Sequence, residues 1–146
     1  MEYVLMNETH IEPIAEIEKL CFSDPWSVNS IGSELKNPLS LWLVAQDGDR
    51  VAGYVGSQTV LGEADMMNLA VHPDYRRQGI GEQLVTRLVE QLRRQGSHIL
   101  MLEVRISNGP AIALYEKLGF FQVGRRPNYY RNPKEDALIL KKEWSV

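Results

Sequence analysis

Cysteine is nearly absent: Cys21 stands alone, so no internal disulfide can form. The three histidines, His10, His72 and His98, lie far apart and make no metal-ligand spacing with Cys21, so no metal site is expected. No apolar run approaches the roughly 20 residues of a membrane span. The N-terminus carries Glu2 rather than a basic stretch followed by an apolar one, so no secretory signal is read and a cytoplasmic location, away from membranes, is expected. Charge of one sign is also scarce. A net charge of -3 argues against direct nucleic-acid binding, although Arg76-Arg77 and Arg125-Arg126 are locally basic. Repeats, low-complexity linkers and breaks in composition are missing, and 146 residues with 44% hydrophobic and 24% charged content read as one domain over 1–146. Neither G-x-x-x-x-G-K-[ST] nor G-x-G-x-x-G occurs.

What is present centres on residues 68–83, N-L-A-V-H-P-D-Y-R-R-Q-G-I-G-E-Q. Met67, Leu69 and Val71 alternate with Asn68, Ala70 and His72, the period of a half-buried strand, and His72-Pro73-Asp74 ends it. Leu84, Val85, Leu88, Val89 and Leu92 then share one helical face, so a helix begins near Gly79. The first turn of a helix has unpaired N–H groups and positive potential, and Gly79 and Gly81 let an anion come close to the backbone. The loop Arg76-Arg77-Gln78-Gly79-Ile80-Gly81 is therefore either a phosphate cradle or a tight turn eased by two glycines.

Along the rest of the chain, Tyr3 to Met6 reads as a strand, and Thr9 as the cap of a helix burying Ile11, Ile14, Ile17 and Leu20. Ser27 caps a second helix with Val28, Ile31 and Leu35 inward, stopped at Asn37-Pro38. Leu41 to Ala45 and Val51 to Thr59 form a hairpin over Asp47-Gly48-Asp49, and Leu61-Gly62-Glu63 turns into the strand ending at Val71. After Gly96, Ile99 to Val104 reads as a strand buried on both faces. Asn108-Gly109-Pro110 starts a short helix with Ile112, Leu114 and Leu118 inward and Gly119 beyond its end. Phe120 to Val123 and Ala137 to Leu140 are the last strands, joined by a polar loop. The class is α+β with one β-α-β crossover.

Glu103 interrupts the apolar run 99–104, where a carboxylate is costly unless it faces a cleft or finds a partner such as an arginine. R-x-x-G-x-G entering a helix, followed by L-E-V-R-x-S-N and A-x-x-L-Y-E-K-L-G-F, resembles the GCN5-related N-acetyltransferase (GNAT) superfamily across essentially the whole chain. Pro25-Trp26-Ser27, Glu103-Val104-Arg105, Ser107-Asn108, Tyr115 and Arg126-Pro127-Asn128-Tyr129-Tyr130 look like its RimI branch, whose members acetylate the N-terminal alanine of the eighteenth small-subunit ribosomal protein.

The resemblance implies a mixed, mostly antiparallel twisted sheet with flanking helices, in which the Leu69 strand splays from the Leu102 strand. It implies acetyl-CoA as cosubstrate and no metal. Arg76, Arg77, Gln78, Gly79, Ile80, Gly81 and Glu82 would hold the pyrophosphate, with Leu69, Ala70 and Val71 along the pantetheine and Asn108 either touching that arm or capping its helix. Glu103 would be the general base. Tyr115, which could equally be a core aromatic, would be the general acid. Trp26, Asn128, Tyr129 and Tyr130 would wall a groove for a protein N-terminal peptide, or form a surface loop. A GNAT enzyme acting on lysine or a small amine, and an acyl-CoA-binding regulatory module without turnover, are the rival readings.

Overall fold

A computed structural model describes residues 1–145, so Val146, the last residue of the expected 1–146 domain, lies outside the described residues. Strand β1 is Glu2–Leu5, and helix α1 is Ile11–Cys21. The helical path starts earlier than Thr9 predicts. Asn7 Oδ1 accepts from Thr9 N at 2.9 Å while Asn7 N donates to His10 Nδ1 at 3.0 Å, a reciprocal cap that opens a 3-10 turn over Glu8–His10 leading into α1. α1 buries Ile14 and Ile17, but Leu20 is 58% exposed, contrary to expectation, because Glu18 takes the inward position of that turn. Ser27 caps helix α2 (Val28–Lys36) by accepting from Ser30 N at 3.1 Å. Ile31 is buried and Leu35 half-buried, whereas Val28, the first helical residue, is exposed rather than inward.

Strands β2 (Ser40–Asp47), β3 (Arg50–Val60) and β4 (Glu63–Val71) form an antiparallel meander. Helix α3 (Ile80–Arg94) crosses to β5 (Ile99–Arg105), and helix α4 (Gly109–Lys117), β6 (Phe121–Tyr130) and β7 (Glu135–Glu143) follow. Among the described residues the sheet order is β1-β2-β3-β4-β5-β7-β6, with only β4 and β5 parallel. This is the expected α+β architecture. On one face Leu84, Leu88 and Leu92 of α3 pack over Leu100 and Leu102, and each such burial stabilises the fold by about 1.5–3 kcal/mol. On the other, Ile14, Ile17 and Ile31 of α1 and α2 pack over Trp42, Val44 and Tyr54.

Several elements differ from the sequence reading. β4 starts at Glu63, the last residue of the expected Leu61-Gly62-Glu63 turn. β5 alternates rather than being buried on both faces: Leu100, Leu102 and Val104 are buried, Ile99, Met101, Glu103 and Arg105 only partly so. In α4 the buried side chain is Tyr115, with Ile112, Leu114 and Leu118 half-buried. Most of the expected polar loop 124–136 is strand, since β6 reaches Tyr130 and β7 begins at Glu135. β6 is the sheet's outer strand, exposed almost throughout, so its order comes from pairing with β7 and not from an alternating apolar face.

The parallel pairing of β4 with β5 covers Glu63↔Ile99, Ala64↔Leu100 and Asp65↔Met101 and then stops. Against β3, Gly56 faces Asn68 and Ser57 faces Met66, so Met67 is an extra residue, a bulge that bends β4 away from β5. The expected splay is thus present, and its cause is local.

Candidate active site

Register decides which backbone groups face the splay. His72 N donates to Ala52 O at 2.8 Å, and antiparallel alternation then directs the Ala70 and Asn68 backbone toward β3 and that of Leu69 and Val71 toward the gap. The Val71 carbonyl accepts from Arg76 Nε at 3.4 Å and lies 3.7 Å from Cys21 Sγ, so that end of the gap is already occupied. The gap opens into a cleft of about 890 Å³.

That cleft gathers many of the expected residues: Leu69, Glu103, Asn108 and Tyr115, with Trp26, Tyr129 and Tyr130 as walls. Ala70, Val71, the 76–82 loop and Asn128 do not line it. Ala70 is buried against the α1–α2 side. Asn128 N instead donates to Asp136 Oδ1 at 2.8 Å, and its side chain borders a separate hollow at the hairpin tip.

The 76–82 loop sits at the end of β4. Gly79 adopts φ 74°, a left-handed conformation that glycine allows without strain, and caps α3 without a side-chain hydrogen bond. Gln83 N bonds back to Gly79 O at 3.1 Å, so the N–H groups of Ile80, Gly81 and Glu82 precede the first intrahelical bond and suit an anion. Arg77 and Gln78 are exposed, Ile80 is buried in the core, and the Glu82 carboxylate pairs with Lys117 Nζ at 3.2 Å. Ile80 and Glu82 therefore have only backbone to offer a phosphate.

Glu103 both faces the cleft and finds a partner: it is half-buried, and Oε1 lies 3.4 Å from Arg126 Nε. Tyr115 is 6% exposed, and its hydroxyl donates to Met66 Sδ at 3.7 Å. Burial, then the nearby Tyr130, pushes its phenol pKa well up, so the proton stays on oxygen. Burial first, then Tyr129 and Glu103, raises Tyr130 to about 12. Asn108 caps α4 by accepting from Ala111 N at 3.2 Å, with Pro110 in the first turn, where a missing N–H costs nothing.

Two groups were given no role of their own by the sequence. Arg105 donates to the Pro133 carbonyl at 2.9 Å, the Arg131 carbonyl at 3.0 Å and Glu135 Oε1 at 3.1 Å, and its guanidinium lies 4.4 Å from the Tyr130 ring centre. Glu135 Oε2 accepts from Ser107 N at 2.7 Å. Arg105 therefore ties the β6–β7 hairpin to the strand bearing Glu103. The second is Glu18, buried to 1% exposure and bonded to Trp26, Tyr54 and Asn68. A carboxylate within the apolar stripe Ile14, Ile17, Cys21 was the signal for it.

Among the described residues, no cluster of three or more His, Cys, Asp or Glu could hold a metal ion, and no helix is long and apolar enough to cross a membrane. Residues 11–120 match the acetyltransferase (GNAT) family. The chain is 39% identical over 137 residues, 92% of each protein, to the ribosomal protein bS18-alanine N-acetyltransferase of Escherichia coli strain K12. It is 40% identical over 139 residues, 93% of each, to that of Salmonella typhimurium strain LT2. The crystal structure of the ribosomal-protein-S18-alanine N-acetyltransferase from Escherichia coli aligns with a TM-score of 0.92 at 36% identity, covering 99% of this chain and 94% of that one.

Proposed function

The chain belongs to the acetyltransferase (GNAT) family and is an N-acetyltransferase, and from that premise we propose that it transfers the acetyl group of acetyl-CoA to the N-terminal α-amine of a protein, namely the alanine that begins ribosomal protein bS18. The observation that carries this reading is the likeness to bS18-alanine N-acetyltransferases over about nine-tenths of the chain, at 39% and 40% identity. The cleft supports it, because it is open to solvent and walled by Trp26, Tyr129 and Tyr130, as a peptide end requires.

Acetyl-CoA supplies a thioester already activated for attack. The N–H groups of Ile80, Gly81 and Glu82, with Arg76 and Arg77 beside them, receive its pyrophosphate, and Gln78 and Gly79 complete the loop. The β4 backbone from Leu69 through Ala70 to Val71 runs beside the pantetheine much as a strand pairs with an added peptide, and a gap-facing N–H polarises the thioester carbonyl. Asn108 borders the same arm while capping α4. Glu103 takes the proton of the incoming amine, whose nitrogen bonds to the acetyl carbon as the C–S bond breaks. Tyr115 gives its proton to the departing thiolate; burial raises its pKa and so holds the phenol in the protonated form before transfer. The entering ammonium competes with Arg126 for the Glu103 carboxylate.

The choice of amine follows from magnitude. An α-amine of pKa near 7.8 is about one-seventh neutral at pH 7, whereas a lysine near 10.4 is about 0.04% neutral, so one half-buried carboxylate suffices more readily for an N-terminus. Incubation with acetyl-CoA and a bS18 N-terminal peptide, an N-blocked copy containing lysine, and polyamines tests the assignment. Acetylation of the free alanine peptide alone is expected, and acetylation of only the N-blocked copy or the polyamines would overturn it.

A further inference from the structure

Glu18 has no part in the proton transfers just described, yet it is 1% exposed and reaches three elements at once. Its Oε1 accepts from Trp26 N at 2.9 Å, and its Oε2 accepts from Asn68 Nδ2 at 2.5 Å and from the Tyr54 hydroxyl. An ionised carboxylate only accepts, so it selects which end of the Asn68 amide turns inward. With Nδ2 held by Glu18, Asn68 Oδ1 is left to accept from Leu69 N at 3.1 Å. That N–H points into the β4–β5 gap, where pairing has ended at Asp65↔Met101 and no β5 carbonyl serves it. The same carboxylate fixes the backbone of Trp26, whose ring rests edge-on against Trp42 at 5.5 Å, with Trp42 stacked on Tyr54 at 5.8 Å.

We propose that Glu18 is a positioning residue that pins Asn68 over the Leu69 N–H, stabilising the open gap and tying the Trp26 wall of the cleft to the strand beside the acetyl group. Glu34 offers a contrast within the same fold. It too is buried, and it accepts from Ser40 Oγ at 3.1 Å, Trp42 Nε1 at 3.3 Å and Gln58 Nε2 at 2.8 Å, but none of these partners carries a gap-facing amide. It anchors α2 to the sheet and leaves the gap alone.

The kinetic consequence rests on the acetyltransferase reading, but the structural one does not, so two measurements are paired. In the substrate-free, 15N-labelled protein, exchange of the Leu69 amide should quicken roughly tenfold or more in E18Q and in N68A, and should not change in E34Q. In E18Q, Gln Nε2 faces Asn68, turns its amide round and removes the acceptor from Leu69. In turnover, both variants should lose about tenfold or more in kcat with coenzyme A affinity retained, since the phosphate loop is untouched. The E18Q/N68A double variant should be no slower than N68A alone, whereas a purely structural Glu18 would add its own factor. An unchanged Leu69 amide in both single variants, or equal E18Q effects with and without Asn68, would overturn the proposal. Should E18Q fail to fold, N68A carries both readouts, and wild-type exchange there is decisive against it. A wild-type protein inactive on the alanine peptide would count against the functional reading alone, because the amide measurement needs no substrate.

Discussion

Glu103 and Tyr115 differ in what surrounds them, and that difference sets what each substitution does. Glu103 is half-buried and paired with Arg126, so Glu103→Gln keeps its volume while removing the proton acceptor. Turnover of the alanine peptide should fall by roughly 10²-fold or more, with coenzyme A binding by titration unchanged. Wild-type turnover, with the chemical step shown to limit the rate, would remove Glu103 as the base. Tyr115→Phe loses one long contact to Met66 and little packing, so its melting temperature should stay near that of the wild type while kcat falls roughly 10²-fold. A loss below about twofold, far under the general-acid range, would mean that another donor protonates the thiolate. Glu103 stood out in the sequence because a charge in an apolar run needs a reason, and Tyr115 only through its family motif. Neither the partner of Glu103 nor that of Tyr115 was legible, since Arg126 and Met66 come from other strands.

Among the elements, β4 carries a bulge that its sequence pattern conceals. Ala64 and Met66 face the α3 core, and so do Leu69 and Val71, but Met67 intervenes and shifts the alternation by one residue. The alternation of Met67, Leu69 and Val71 read from the sequence is a single phase, and it does not show the bulge. The β6–β7 hairpin was hidden for the opposite reason: Phe121, Val123 and Tyr129 are about half exposed on an outer strand, so there is no buried face to produce a period. Its order comes from β7 and from Arg105, whose bonds to the carbonyls of Arg131 and Pro133 close the turn that follows Tyr129 and Tyr130 at the end of β6. Arg105→Ala should therefore raise the KM for the peptide roughly tenfold while leaving the KM for acetyl-CoA alone. Arg105→Lys, which keeps charge but not the forked geometry, should fall between. A rise confined to the acetyl-CoA KM would show that the hairpin does not shape the peptide side.

At the scale of the molecule, the half proposed to hold the cosubstrate is local, one strand, one loop and one helix start within residues 68–83. The half proposed to meet the peptide is assembled from α1, the Trp26 loop, β5 and the hairpin, so its contacts exist only once the sheet has formed. Protonation should distinguish the two anchors of that second half. Glu135 is held below the ordinary carboxylate range by hydrogen bonds from Ser107 and by Arg105, and Asp136 by the Asn128 N–H and Arg125. Their folded pKa values lie below the unfolded ones, so the stability they contribute is present above the ordinary carboxylate pKa and lost as pH falls through the lowered values. Glu18 is shifted the other way by burial, opposed by its bonds from Trp26 and Tyr54, so its contribution is fullest below the ordinary value and declines as pH rises through the raised one. Acidification below the carboxylate range should thus loosen the β6–β7 hairpin while α1 stays docked. Hydrogen exchange along a pH series checks this: the amides of Ser107 and Asn128 should lose protection at a higher pH than those within α1, and the reverse order would refute the assignment of the hairpin carboxylates as its electrostatic clasp.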